Sequence, residues 1–158
     1  MIASGEPGRP AGSGARGGPG GNVPPRPATV VGVGIDAVDV ARFRQLLARR
    51  PAIVHRVFTD AERADAERSA DPAERLAARF AAKEATMKAL GTGIGAFAFR
   101  DVEVVSAAGR GAEARAPKLV LSAGAAELAG RRAVGRWHLS LTHSGGLAMA
   151  LVVAEATG

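Results

Sequence analysis

"RFAAKEATMKALGTG" occupies residues 79–93, and its reading decides how the rest of the chain is arranged. Alanine, leucine and methionine at helical spacing run back to about Ala73, and Gly91 after Leu90 is the residue type that ends a helix. A long helix from about Ala73 to Leu90 is expected, with Leu76, Phe80, Ala81 and Met87 on its buried stripe. Glu84 and Lys88 stand one turn apart along the margin of that stripe. Such an i, i+4 pair is ordinarily a solvated ion pair worth about 0.3–0.5 kcal/mol, so by itself it carries no function. The alanines predict close packing, and the partner for that packing has to come from the flanking segments.

Upstream, "TVVGVGIDAV" (29–38) is β-branched and alternating, with Val31, Val33 and Ile35 on one face and Gly32, Gly34 and Asp36 on the other. A strand is expected. Its second face lacks side chains at two positions, so something can approach the backbone there, and a carboxylate stands at the end of the cleared track. Asp39 is placed to cap a helix through Val40, Phe43, Leu46 and Leu47, with Arg42, Arg44, Arg49 and Arg50 among its polar positions. "FTDAERADAER" (58–68) reads as a short charged helix, interrupted before the long one by Asp71-Pro72.

Downstream, "VEVVS" (102–106) and "KLVLS" (118–122) read as strands joined by a polar loop containing Gly109 and Gly111, and "AGAAELA" (123–129) as a small helix. "WHLSLTHSGGLAMALVVAE" (137–155) is a hairpin signal turning at His-Ser-Gly-Gly. Along its first arm His138, Ser140 and Thr142 share one face and Leu139 and Leu141 the other. The order of elements predicts an α+β fold, an antiparallel sheet packed against the long helix.

Composition narrows the function classes. Of 158 residues, the first 28 hold eight of 21 glycines and six of nine prolines. That stretch is expected to be a disordered tail, and residues 29–158 a single domain. Glycine and proline in the tail argue against a secretory or organellar signal, and no apolar run approaches the ~18 residues of a membrane span. A cytoplasmic protein is expected. The absence of cysteine removes disulfides and thiolate metal sites. Five phenylalanines and one tryptophan are too few for an aromatic platform on which nucleobases stack. The net charge of +6 includes three arginines against one glutamate in the tail (Arg9, Arg16, Arg26; Glu6), which leaves a mildly basic domain suited to an acidic partner or a polyphosphate.

Asp36 and Glu84, two carboxylates from distant segments without histidine or cysteine partners, suit a hard cation such as Mg²⁺. Lys88 is placed to neutralise phosphate charge. The "GTGIG" loop (91–95) offers backbone N–H groups, but it leaves a helix instead of opening one, so it is neither a Walker loop nor a dinucleotide-binding turn. Jointly these parts suggest phosphoryl transfer. A nucleic-acid module would need a recognised motif and a basic stripe. A hydrolase built on His143 and Ser144 would need a nucleophile elbow, and the chain has none.

The chain resembles the holo-acyl-carrier-protein synthases, the short type of 4′-phosphopantetheinyl transferase, through four segments in the family's order. These are "GVGIDAVDVARF" (32–43), "FTDAE" (58–62), "RFAAKEATMKALGTGIG" (79–95) and "WHLSLTHSGGLAMALVVAE" (137–155). The resemblance implies the 4′-phosphopantetheinyl transferase fold, with Asp36 and Glu84 as Mg²⁺ ligands and Lys88 facing the coenzyme A pyrophosphate. It further implies that Arg79, Gly91, His143 and Ser144 lie near the bound nucleotide and that Arg42 docks an acyl carrier protein. The family's Gly-Lys/Arg-Pro before the late strand is replaced by "EARAPKL" (113–119), with Ala116 preceding Pro117, so no phosphate contact is carried over to that loop.

The implied reaction is attack of a carrier-protein serine hydroxyl on the pantetheine-side phosphorus of coenzyme A, releasing 3′,5′-ADP. Glu84 and Lys88 are the implied catalytic residues. Either Glu84 or a water beside the metal serves as the base, and the sequence does not choose between them. A homotrimer, a role in fatty acid synthesis that extends to polyketides, and no nucleic-acid or membrane partner complete the expectation.

Overall fold

A computed structural model describes residues 29–106 and 116–156. The expected N-terminal tail and the glycines at 109 and 111 lie outside the described residues. Strand β1 (Val30–Asp39) is followed by helices α1 (Val40–Arg49), α2 (Ala52–Val57), α3 (Asp60–Glu67) and α4 (Pro72–Ala89). A 3-10 turn (Phe99–Asp101) leads into β2 (Val102–Val105), and β3 (Lys118–Leu121), α5 (Ala123–Arg131), β4 (Val134–Ser144) and β5 (Leu147–Ala156) complete the chain. The α+β expectation holds. Helix α2 was not legible, because "AIVHRV" is β-branched and a poor intrinsic helix former. It forms where Val57 and Phe58 are buried and Ile53 and Val54 pack beside them.

Local chemistry accounts for the helix boundaries. Asp39 caps α1 by accepting the Arg42 N–H at 2.9 Å, and Asp71 caps α4 by accepting the N–H groups of Ala73 and Glu74 at 3.1 Å, with Pro72 as the first helical residue. Helix α4 ends in a Schellman arrangement: Thr92 N–H donates to Met87 O and Gly91 N–H to Lys88 O, with Gly91 at φ +59°. Gly91 thus has a structural reason to be glycine, reinforced by the Arg132 guanidinium, which would lie 2.8 Å from any Cβ there.

The main sheet has the antiparallel order β1-β5-β4, and β2 pairs with β3 in a separate two-stranded sheet. What approaches the bare face of β1 is α4 itself. A Cβ at Gly32 or Gly34 would collide with the backbone carbonyls of Ala89 or Ala85. Ala81, Ala82, Ala85 and Ala89 are buried against Ala150, Val152 and Ala154 of β5. The register pairs Asp36 with Ala150, and β4 turns into β5 through Gly145 and Gly146, both at positive φ, as a tight two-residue hairpin requires.

The phenylalanines belong to the core beside the aliphatic residues. Phe43, Phe58, Phe80 and Phe99 form a chain of ring contacts at centroid distances of 5.4–6.4 Å that ties α1, the α2–α3 junction and the 3-10 turn to α4. Among the described residues nothing covers the sheet's other face. Val33 and Ile35 are 56% and 63% exposed, and Val31, Leu147 and Leu151 are also exposed.

Candidate active site

Asp36 lies two residues beyond Gly34 on the strand face that meets α4, and so points at the turn carrying Glu84. From one turn further along α4, Lys88 Nζ donates to Asp36 Oδ1 at 2.8 Å and to Ile35 O at 2.9 Å. The other oxygen, Asp36 Oδ2, is buried and has no hydrogen-bond donor. The Glu84 carboxyl is close enough to Asp36 for the two side chains to interact. Burial first, then the charge and hydrogen bonding of Asp36, against the pull of Lys88, push the Glu84 pKa up to about 6. With both carboxyls ionised neither has a donor to offer the other, so Asp36 Oδ2 needs a shared proton, which the raised Glu84 pKa reflects, or a cation. A cation between them would satisfy both.

The donor set fits Mg²⁺ in number and kind. That ion prefers oxygen ligands and commonly takes one or two carboxylates, filling the rest of its shell with water and phosphate. Among the described residues no group of three or more histidine, cysteine, aspartate and glutamate side chains is placed to hold a metal.

Arg79 and His143 belong to a second cluster. They line a cavity of about 370 Å³ together with Glu74, Arg75, Ser106 and Thr142. Arg79 is only 2% exposed; its Nη2 pairs with Asp65 and donates to Ser106 Oγ at 2.9 Å, while its Nε is buried without a partner. Although burial alone would raise it, Asp65 is held below the usual carboxylate range by the Ser106 hydroxyl and by Arg79, Arg75 and Arg68. His143 Nδ1 lies 3.5 Å from Glu74 Oε1. The cavity is therefore rich in cations, which suits an anionic ligand. Ser144, at the end of β4, is exposed and does not line it. Asp36, Glu84 and Lys88 do not line it either.

Arg42 is exposed on α1 and makes no ion pair among the described residues, whereas Arg44 on the same helix is tied to Asp71 at 2.6 Å. Sequence reasoning did not single out Glu62, Asp65, Lys83 or Ser106. A usable signal existed for the first, since Thr59-x-x-Glu62 is the capping-box pattern, and both of its reciprocal hydrogen bonds form. The others gave none, because their partners lie far along the chain.

The profile of the 4′-phosphopantetheinyl transferase superfamily matches residues 32–152, and the chain belongs to that family. Within it the resemblance is to one type of enzyme. Holo-acyl-carrier-protein synthase of Frankia alni is 51% identical over 126 residues, 80% of this chain and 98% of the relative. Among solved structures, the holo-acyl-carrier-protein synthase of Bacillus anthracis in complex with CoA (3′,5′-ADP) superposes with a TM-score of 0.63 at 35% identity, covering 82% of this chain and all of that one. The Neisseria meningitidis enzyme gives a TM-score of 0.69 at 32% identity, over 80% and 99% of the two chains. The protein is an enzyme of this transferase type.

Proposed function

We propose that this enzyme transfers the 4′-phosphopantetheine group of coenzyme A to a serine hydroxyl of an apo acyl carrier protein in a Mg²⁺-dependent reaction. One observation carries the metal-dependent reading: the buried, donorless Asp36 Oδ2, with the Glu84 carboxyl close by and Lys88 on the opposite oxygen. Asp36 and Glu84 would hold the cation, which when bound supplies charge neutralisation at the pyrophosphate. Lys88, half exposed, can swing from Asp36 to a phosphate oxygen and offset charge that grows as the phosphoryl group transfers. The Glu84 carboxylate or a water beside the cation would accept the serine proton.

The cavity of Arg79 and His143, lined also by Arg75, suits the nucleotide end of coenzyme A. Its separation from the carboxylates supports a homotrimer in which neighbouring subunits complete each site. The uncovered apolar face of β1 and β5 supports the same assembly, because such a face is ordinarily buried. The reading extends to cytoplasmic service of fatty acid synthesis, with polyketide carriers as further substrates. No helix among the described residues is long and apolar enough to cross a membrane.

Intact-mass measurement of an apo carrier protein, incubated with the enzyme, coenzyme A and Mg²⁺, tests the proposal. A mass gain of one phosphopantetheine, lost on chelation of the metal, is expected. No gain with several carriers would overturn it.

A further inference from the structure

Helix α4 meets β1 through alanine on glycine. That contact brings the two backbones close, but it offers no ridge in a groove to fix how far the helix is rotated about its own axis. Rotation matters here, since Glu84 must face Asp36. The opposite side of α4 carries a feature that does fix it. Lys83 and Glu62 are completely buried, with Nζ 2.8 Å from Oε2. Lys83 also donates to Phe99 O at 3.0 Å and to Val102 O, while Glu62 accepts the N–H groups of Thr59 at 3.0 Å and Val104 at 2.9 Å. One ion pair thereby joins α3, α4, the 3-10 turn and β2, with both charged ends fully engaged.

Burial pushes the Lys83 ammonium pKa down, and the Glu62 charge opposes the shift. A buried pair of this kind is a poor stabiliser compared with apolar packing, and its best-attested use is to specify register. Lys83 and Glu84 are consecutive, so their side chains leave the helix about 100° apart. Holding one sets the direction of the other. The pair also anchors the glycine-rich segment after α4, which starts at the Gly91 cap and returns at Phe99, whose carbonyl is on Lys83.

We propose that the Glu62–Lys83 pair is a positioning device that fixes the rotation of α4 so that Glu84 confronts Asp36. The inference rests on the reading of those two carboxylates as cation ligands. Its test is therefore a binding measurement separate from turnover: Mn²⁺ titration followed by electron paramagnetic resonance, without coenzyme A or carrier.

Glu62→Asp keeps the pair neutral overall but shortens it by one methylene, and Glu62→Gln/Lys83→Met removes both charges together. Each is expected to melt cooperatively and to bind Mn²⁺ about tenfold more weakly, as loss of a group that orients a ligand does. Val57→Ala, a cavity in α2 that removes no hydrogen-bond partner of the pair, should lower the melting temperature and leave Mn²⁺ affinity within about twofold. If the double variant does not fold, Glu62→Asp decides alone. Unchanged Mn²⁺ affinity in a folded pair variant, or equal weakening in Val57→Ala, overturns the positioning role. A wild type that binds no Mn²⁺ fails differently, because it removes the ligand reading itself.

Discussion

Lys88 Nζ lies 2.8 Å from Asp36 Oδ1, while the buried Asp36 Oδ2 is left without a donor. The lysine is 53% exposed, so the pair adds at most about 1 kcal/mol to stability, and under the proposed function its larger use is in the reaction. Lys88→Ala should lower kcat by about 10²–10³, the cost of removing one preorganised donor to developing charge, while KM for coenzyme A changes much less. Steady-state kinetics at saturating carrier separate the two effects. An increase confined to KM would assign Lys88 to ground-state binding.

The Glu84 pKa of about 6 makes a pH prediction for the metal-free protein. The folded state holds this proton more tightly than the unfolded chain. The group's stabilising contribution is thus complete below the ordinary carboxylate value of 4.5 and is lost as pH rises through about 6. The loss is on the order of 1 kcal/mol once solvent screening of a partly exposed group is allowed for. Glu84→Gln should flatten this part of the stability profile, raise metal-free stability at pH 7 and abolish turnover. Urea titrations from pH 4 to 7.5, with and without Mg²⁺, check it, and saturating metal should remove the slope in the wild type.

Gly34→Ala tests the close crossing of β1 and α4. The added methyl would meet the Ala85 carbonyl, a backbone atom held in the helix, so a destabilisation of about 3 kcal/mol or more is expected. Gly93→Ala in the loop after α4 meets nothing within 4 Å and should fall within about 0.5 kcal/mol of wild type. Chemical denaturation measures both.

This crossing also shows what the sequence could and could not reveal. The alternation of glycine with β-branched residues in β1 and the alanine run of α4 are local patterns, and they fixed both elements and the position of Asp36. That the two bare faces fit each other is a tertiary fact, so the clearing around Gly32 and Gly34 was read as room for an unspecified visitor. Asp65 and Ser106 are 41 residues apart and meet only because α4 brings β2 beside α3. Lys83 looked like one more charge in a helical block. Only its complete burial separates it from Lys88, five residues later and in solvent.

Arg42 and Arg44 present similar charges on α1 but should behave differently. Arg42 is exposed without an ion pair among the described residues, and acyl carrier proteins are acidic. Arg42→Glu should raise KM for the carrier about tenfold or more, since like charges across an interface cost several kcal/mol, and leave KM for coenzyme A nearly unchanged. Arg44 is already engaged by Asp71, so Arg44→Ala should affect carrier binding far less. Wild-type affinity for the carrier should also weaken towards ~0.3 M salt, where the Debye length is about 6 Å.

The separation of the Asp36–Glu84 pair from the Arg79–His143 cavity makes a prediction that no single-site variant makes. In a ring of subunits sharing their sites, one chain supplies the carboxylates and its neighbour the cavity. Asp36→Ala and His143→Ala proteins should each be nearly inactive alone. Mixed and allowed to exchange subunits, they should recover activity in about a quarter of sites, because each interface then has independent chances of an intact carboxylate half and an intact cavity half. Ile35→Lys, which places a charge on the exposed apolar face of β1, should break the ring in light scattering and abolish turnover even though Ile35 touches neither half-site with its side chain. A monomeric wild type with full activity, or mixed variants that stay dead despite exchanging subunits, would show that each chain builds its site alone.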